Sequence, residues 1–255
     1  PPSAAAAAPR EGAGGVREPL PASSLGGGVG STIHPGAGGD EGVDPPTGVL
    51  ADHARVVAAF ATARQVLGPD ALSVDPVAVA RRVADEAIGA LREPEGAFRD
   101  GPTAGVGLLS APLRPLDGSV EVAEALVDLA AVVGVVDGGG DDDDSAGRRS
   151  DDYADVAHDA IAAFAGAHER FGVQVAGYGS VASRLTRPDL VVAVGDAAGS
   201  DLHRAALRVA DHEAVVVPAA PDTPAGIATV RRGAERRDAD TPEALLDAVA
   251  ALTGA

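Results

Sequence analysis

Asp196 follows an apolar run, Leu190 to Val194, and a glycine, Gly195, and a helix-like segment begins a few residues later. A carboxylate at the carboxyl end of a buried strand, beside a helix N-terminus, can act as a general acid when partly desolvated. It can also hold a sugar hydroxyl. Capping the next turn is the other use of an Asp in that place. His203-Arg204 falls in the first turn of the following helix, where a cationic pair opposes the helix dipole, so Arg204 is a candidate for holding an anion. An exposed surface arginine is the simpler account. Asp137 with Gly138 to Gly140 could cradle a phosphate through backbone amides, although the aspartates that follow repel anions. With Ser110 at the end of GVGLLS, the candidate ligand-binding positions are Ser110, Asp137, Gly138, Gly195, Asp196, His203 and Arg204, and Asp196 is the catalytic candidate. His158 and His168 are ten residues apart, and His203 and His212 nine. Neither pair has the i, i+4 spacing that places two ligands on one helix face, so neither a metal nor any other cofactor is expected.

These residues need a scaffold of alternating strands and helices. Residues Pro1 to Pro46 are Pro, Gly, Ala and Ser with scattered charge and no period, and read as disordered. From Thr47 a helical period begins. Leu50, Val56, Val57, Phe60, Ala61 and Val66 mark a first helix stopped by Gly68-Pro69, and Asp75-Pro76 starts a second that ends at Glu93-Pro94. Residues 47–99 therefore read as a small helical subdomain, and 100–255 as a Rossmann-like α/β domain.

In that second part, strands are expected at Gly105 to Ser110, Val132 to Val136, Val173 to Ala176, Leu190 to Val194, Ala214 to Val217 and Gly226 to Val230. Helices fall between them at Val120 to Leu129, Tyr153 to Phe171, Ser180 to Leu185 and Leu202 to Ala210, and a terminal helix is capped by Thr241-Pro242-Glu243. Such alternation predicts an α/β fold with a mostly parallel sheet. Between Gly138 and Asp152 the run GGGDDDDSAGRRSDD lacks the spaced ligands of a calcium loop and reads as a solvated loop.

Composition narrows the function classes. The chain has 255 residues, 38 acidic against 20 basic, for a net charge of -18, and every basic residue is arginine. An acidic excess without lysine, with 2% aromatics and no Cys, Met or Trp, points to a salt-adapted protein whose self-repulsion is screened in its own cytoplasm. The charge argues against nucleic acid as a direct partner. The absence of cysteine excludes disulfides and thiolate chemistry. No apolar run reaches membrane-spanning length, so a cytoplasmic, non-membrane protein is expected.

Element order then suggests a relationship. FRDGPTAGVGLLS, VVGVVDGG, a long helix, GVQVAGYGSVASRL and RPDLVVAVGDAAGSDLHRAALRVADHEAVVVPAA follow one another between Ala97 and Ala220. This order is similar to the initiation factor two-B alpha/beta/delta superfamily, which includes ribose-1,5-bisphosphate isomerase. Gly195-Asp196 resembles the end of its Val-Gly-Ala-Asp motif, and His203-Arg204 stands where its Asn-Lys would fall. Ser110-Ala111 occupies the region of the family's catalytic cysteine. The resemblance thus implies a divergent, non-catalytic member that binds a sugar phosphate, a nucleotide or a sister subunit, with homo-oligomerisation as the other assembly. Retained aldose-ketose isomerase chemistry through Asp196 is the alternative. Asp189 to Ala250 also resembles the first lobe of NAD kinases, with Gly195-Asp196 at their Gly-Gly-Asp-Gly position.

Overall fold

The longest helix, Leu116–Val136, is buried on nearly every side and organises the structure. The computed structural model describes residues 48–102, 113–138, 149–209 and 213–254. All of them belong to the second of two compact units, Pro45–Ala255. In chain order the helices are α1 (Leu50–Leu67), α2 (Pro76–Leu91), α3 (Leu116–Val136), α4 (Ser150–Ala162), α5 (Ala167–Phe171) and α6 (Ala176–Leu185). Then come β1 (Leu190–Val194), α7 (Asp201–Val209), β2 (Val215–Val217), β3 (Ala228–Arg232), β4 (Glu235–Ala239) and α8 (Pro242–Thr253).

The protein is mixed α/β, and its sheet has the order β2-β1-β3-β4. Parallel pairing is confined to β1 and β2, whereas β1–β3 and β3–β4 are antiparallel. The mostly parallel sheet expected from the alternation is therefore corrected to a mostly antiparallel one, for two reasons. Val132 to Val136 and Val173 to Ala176 supply no strands, and β3 returns directly along β1 with no crossover helix. AAVVGVV is instead the last part of α3. An apolar run without polar positions fits a fully buried helix as well as a buried strand, and here Val132, Val133 and Val135 continue the buried surface begun at Val122, Leu126 and Leu129. Gly138, at φ +74°, ends the helix in the left-handed conformation that glycine adopts without a Cβ clash. The run from Gly172 forms a short 3₁₀ turn, Gly172–Val175, that leads into α6. The single helix expected from Tyr153 to Phe171 is interrupted after Ala162, near Gly166 at φ +86°. The expected strand Gly105 to Ser110 lies outside the described residues.

Strand alternation divides the core. Val191, Ala193, Val215 and Val217 face a layer built from α1, α2, α3, α4 and α6. Leu190, Val192, Val194, Val216, Ala228 and Val230 face α7 and α8. Three layers result, helices–sheet–helices, and the helical lead-in shares one buried cluster with the sheet. In α1 the buried stripe is Leu50, Ala54, Val57, Ala61 and Arg64, while Val56 and Val66 are exposed.

Local chemistry sets the helix starts. Asp75 Oδ1 accepts the amides of Val77 (2.8 Å) and Ala78 (3.4 Å), and Thr241 Oγ1 accepts that of Ala244 (3.2 Å). Such caps contribute about 1 kcal/mol each. Among the described residues no helix is long and apolar enough to cross a membrane.

Candidate functional site

The carboxyl ends of β1 and β2 are where a ligand would sit in an open α/β sheet. Here that position is filled by two other parts of the chain. The first is the loop from Pro218 to Ile227. It is held by Ala220 N–H on Val194 O (2.9 Å), Ala219 N–H on Asp196 O (2.8 Å) and Gly195 N–H on Ile227 O (2.9 Å). Asp196 Oδ1 accepts the Gly226 amide at 2.8 Å, so its carboxylate pins the far side of the same loop. A side chain at residue 195 would collide with the Pro224 carbonyl oxygen, so only glycine lets the loop cross there. Ala219 takes φ +48°, a left-handed conformation that costs a non-glycine residue about 1 kcal/mol.

The second filler is the last turn of α1. Gly68 lies against Ala198 and Pro218. Arg64, 3% exposed, donates through Nη1 to Pro218 O at 2.7 Å. Burial pushes the Arg64 guanidinium down from its ordinary value, against the pull of Asp75 and Asp70. His203 is 1% exposed and uses both ring nitrogens. The Gly199 amide donates to Nδ1 (2.9 Å), so Nδ1 is an acceptor, and Nε2 must carry the proton it gives to Gln65 O (2.8 Å). The Gln65 side chain in turn accepts the Val216 amide at 3.1 Å, on the outer edge of β2.

The remaining candidates are engaged as well. Arg204 is exposed and pairs with Asp201 at 2.6 Å, one turn back on α7. Asp137 caps α3 and pairs with Arg81, whose Nε is buried without a partner. Gly138 lies against the Asp222 carboxylate, which an added Cβ would push aside. The structure thus brings Asp137 and Gly138 to one side of the Pro218–Ile227 loop, and Gly195 and Asp196 to the other. Ser110 lies outside the described residues. The cleft left between the end of α3 and the sheet is about 50 Å³ and is lined by Gly138, Ala220, Asp222, Thr229 and Arg236 among others. That holds a few waters, far short of the roughly 300 Å³ at which small-molecule pockets begin.

At the opposite end of the sheet a cleft of about 200 Å³ is lined by Arg184, Arg187, Asp189, Glu213 and Arg232. Its arginines are paired. Arg184 lies 2.7 Å from Asp128 and 3.1 Å from Asp189, Arg187 lies 3.1 Å from Glu213, and Arg232 donates to Leu252 O at 2.8 Å. Burial pushes the Asp189 carboxyl up, with Arg184 opposing. The arrangement is a structural ion network. Among the described residues no group of His, Asp and Glu is placed to hold a metal.

Sequence reasoning passed over Arg64, Gln65 and Asp222, which carry no motif. It also passed over the hairpin Arg231-Arg232-Gly233-Ala234-Glu235-Arg236-Arg237, which did carry a signal. Four arginines in seven residues of so acidic a chain flank a Gly that can turn a two-residue loop. No family model, curated protein or solved structure matches this chain.

Proposed function

We propose that this chain is a non-catalytic α/β subunit that works by holding another polypeptide, in the manner implied by its resemblance to the two-B regulatory subunits. One observation carries the proposal. Asp196 and His203, the candidates at the end of β1 and the start of α7, are both engaged in holding the fold, and α1 fills the place of a ligand. On this proposal the unit β1–α7–β2 is the Rossmann-like part of the molecule, kept for its packing. Two segments quoted for the resemblance, VVGVVDGG and GVQVAGYGSVASRL, are largely helical, so the likeness now rests on residues 187–220.

Among the described residues a cleft of about 350 Å³ beside the start of α3, lined by Arg55, Asp100, Asp117 and Glu121 among others, is of adequate size for a sugar phosphate or nucleotide. Arg55 already faces Glu121 at 3.6 Å, and three carboxylates against one guanidinium disfavour an anion there.

The test is direct. Purified protein assayed in molar potassium chloride with pentose phosphates is expected to show no isomerisation, and no phosphorylation with NAD and ATP. Asp196→Asn keeps an acceptor for the Gly226 amide and is expected to leave the melting temperature nearly unchanged. Turnover in the parent protein that disappears in Asp196→Asn would establish the isomerase alternative and end the non-catalytic proposal.

A further inference from the structure

We propose that the outer edge of β4 is a strand-addition site for an acidic, extended segment of another polypeptide, an inference that rests on the partner-holding function above. β4 is last in the sheet order, so among the described residues nothing pairs with its outer edge, and Glu235 to Asp238 are exposed. The free N–H and C=O groups of such an edge are matched by the backbone of an incoming extended chain.

Charge selects the occupant. In a chain of net charge -18, residues 231–237 hold four arginines. Arg232 is engaged with Leu252 O, and Arg236 with Asp238 and Thr229. Arg231 and Arg237 have no ion-pair partner among the described residues. Arg237 is exposed opposite Val230, so it points to the α8 side of the sheet at the open edge. An incoming strand that sets a carboxylate beside Arg237 gains a cross-strand ion pair, and one that sets a cation there is repelled.

Charged edge residues also serve to keep strands from adding, and the same pattern disfavours some registers of pairing with a second copy. A twofold β4–β4 pairing centred on Arg236 or on Arg237 sets that arginine against itself. One centred between them sets Arg236 against Arg237 and Glu235 against Asp238. Centres between Glu235 and Arg236 or between Arg237 and Asp238 instead set opposite charges together, so the oligomeric state is part of the test. A nucleic acid cannot use the backbone edge, and it meets Glu235 and Asp238 on the same strand. An acidic strand uses the backbone edge and sets its carboxylate beside Arg237, the exposed arginine of β4 that has no ion-pair partner among the described residues.

The experiment titrates the full chain into a fluorescein-labelled peptide of alternating valine and aspartate, read by anisotropy in about 0.1 M potassium chloride, where exposed charges still act over ~10 Å. Saturable binding is expected, weakened roughly ten-fold or more by Arg237→Glu and tightened by Glu235→Arg. It is also expected to be lost when a central valine of the peptide is replaced by proline, which cannot donate to the ladder. Arg237 and Glu235 are exposed, and an unchanged melting temperature shows that both variants fold.

Four results overturn the proposal: no binding of the acidic peptide, equal binding by Arg237→Glu, equal binding of the proline peptide, or equal binding of a valine–lysine peptide. Stronger competition by oligothymidine overturns it in favour of nucleic acid, and self-association through β4 in light scattering overturns it in favour of a second copy. Sugar-phosphate turnover in the same preparation reports separately on the non-catalytic function. No peptide binding and no turnover removes the edge site alone; turnover removes the function on which it rests.

Discussion

At the β2 edge of the sheet, the Val216 amide is covered by Gln65 Oε1, all three strand residues are buried, and α1 closes over the end through Arg64. At the β4 edge, four of five residues are exposed and the strand carries Glu-Arg-Arg-Asp with no covering element among the described residues. The same four-stranded sheet thus has one edge sealed with apolar and amide groups and one left open under charge. Both arrangements solve the problem of an unpaired strand, but only the second leaves backbone groups available. The difference places the covering contacts at the β2 edge, and it is the open β4 edge that the strand-addition proposal uses. His203 belongs to the sealed side through Gln65, whereas Asp196 is tied to the loop that enters β3.

Removing His203 should test the sealed edge hardest. His203→Ala takes out a fully buried ring and leaves the Gly199 amide and the Gln65 carbonyl unpaired, and we expect a loss of about 3 kcal/mol in urea unfolding. A loss below about 1 kcal/mol would show that the α1–α7 contact is not part of the seal.

Gln65→Ala should cost about 2 kcal/mol, since it leaves the Val216 amide buried without an acceptor. Arg237→Ala, its counterpart at the open edge, should change stability by less than about 0.5 kcal/mol. Equal losses at the two positions would erase the distinction between the edges.

The smallest effect concerns acid. A hydrogen bond from Thr229, and then one from Arg236, holds the Asp238 carboxyl below its ordinary value. A carboxyl lowered on folding contributes stability that is present above its unfolded value and lost as pH falls through the folded one. Thr229→Val should therefore raise the Asp238 midpoint in a carboxyl NMR titration toward the ordinary range, and flatten the acid limb of the stability curve slightly. An unmoved midpoint would mean that Arg236 alone sets it.

How much of this was legible depended on whether the signal was local. Asp75-Pro76 and Thr241-Pro242 announce α2 and α8 because a cap needs only residues two or three apart. The run from Leu190 to Val194, its Gly195 and the amphipathic segment after Asp201 determine β1, α7 and β2 in the same way, since a βαβ unit is bounded by its own turns. The Gly233 hairpin was equally local, with φ +59° at the first of two loop residues, and its arginines mark it out.

What only the tertiary structure decided was everything that turns on a neighbour distant in the chain. Val132 to Val136 are helical because they continue a helix packed against other helices and β2, and an all-apolar run reads the same for a buried strand. The pairing of β3 with β1 is antiparallel because no crossover helix intervenes between β2 and β3, a matter of topology that no local period records. Asp196 and His203 had the residue types and positions of a site. Their partners, Gly226 and Gln65, lie 30 and 138 residues away, and those contacts make one a loop anchor and the other an interhelix link. Residue type sets which hydrogen bonds a side chain can make; the fold sets which it does make, and here they are already made within the chain.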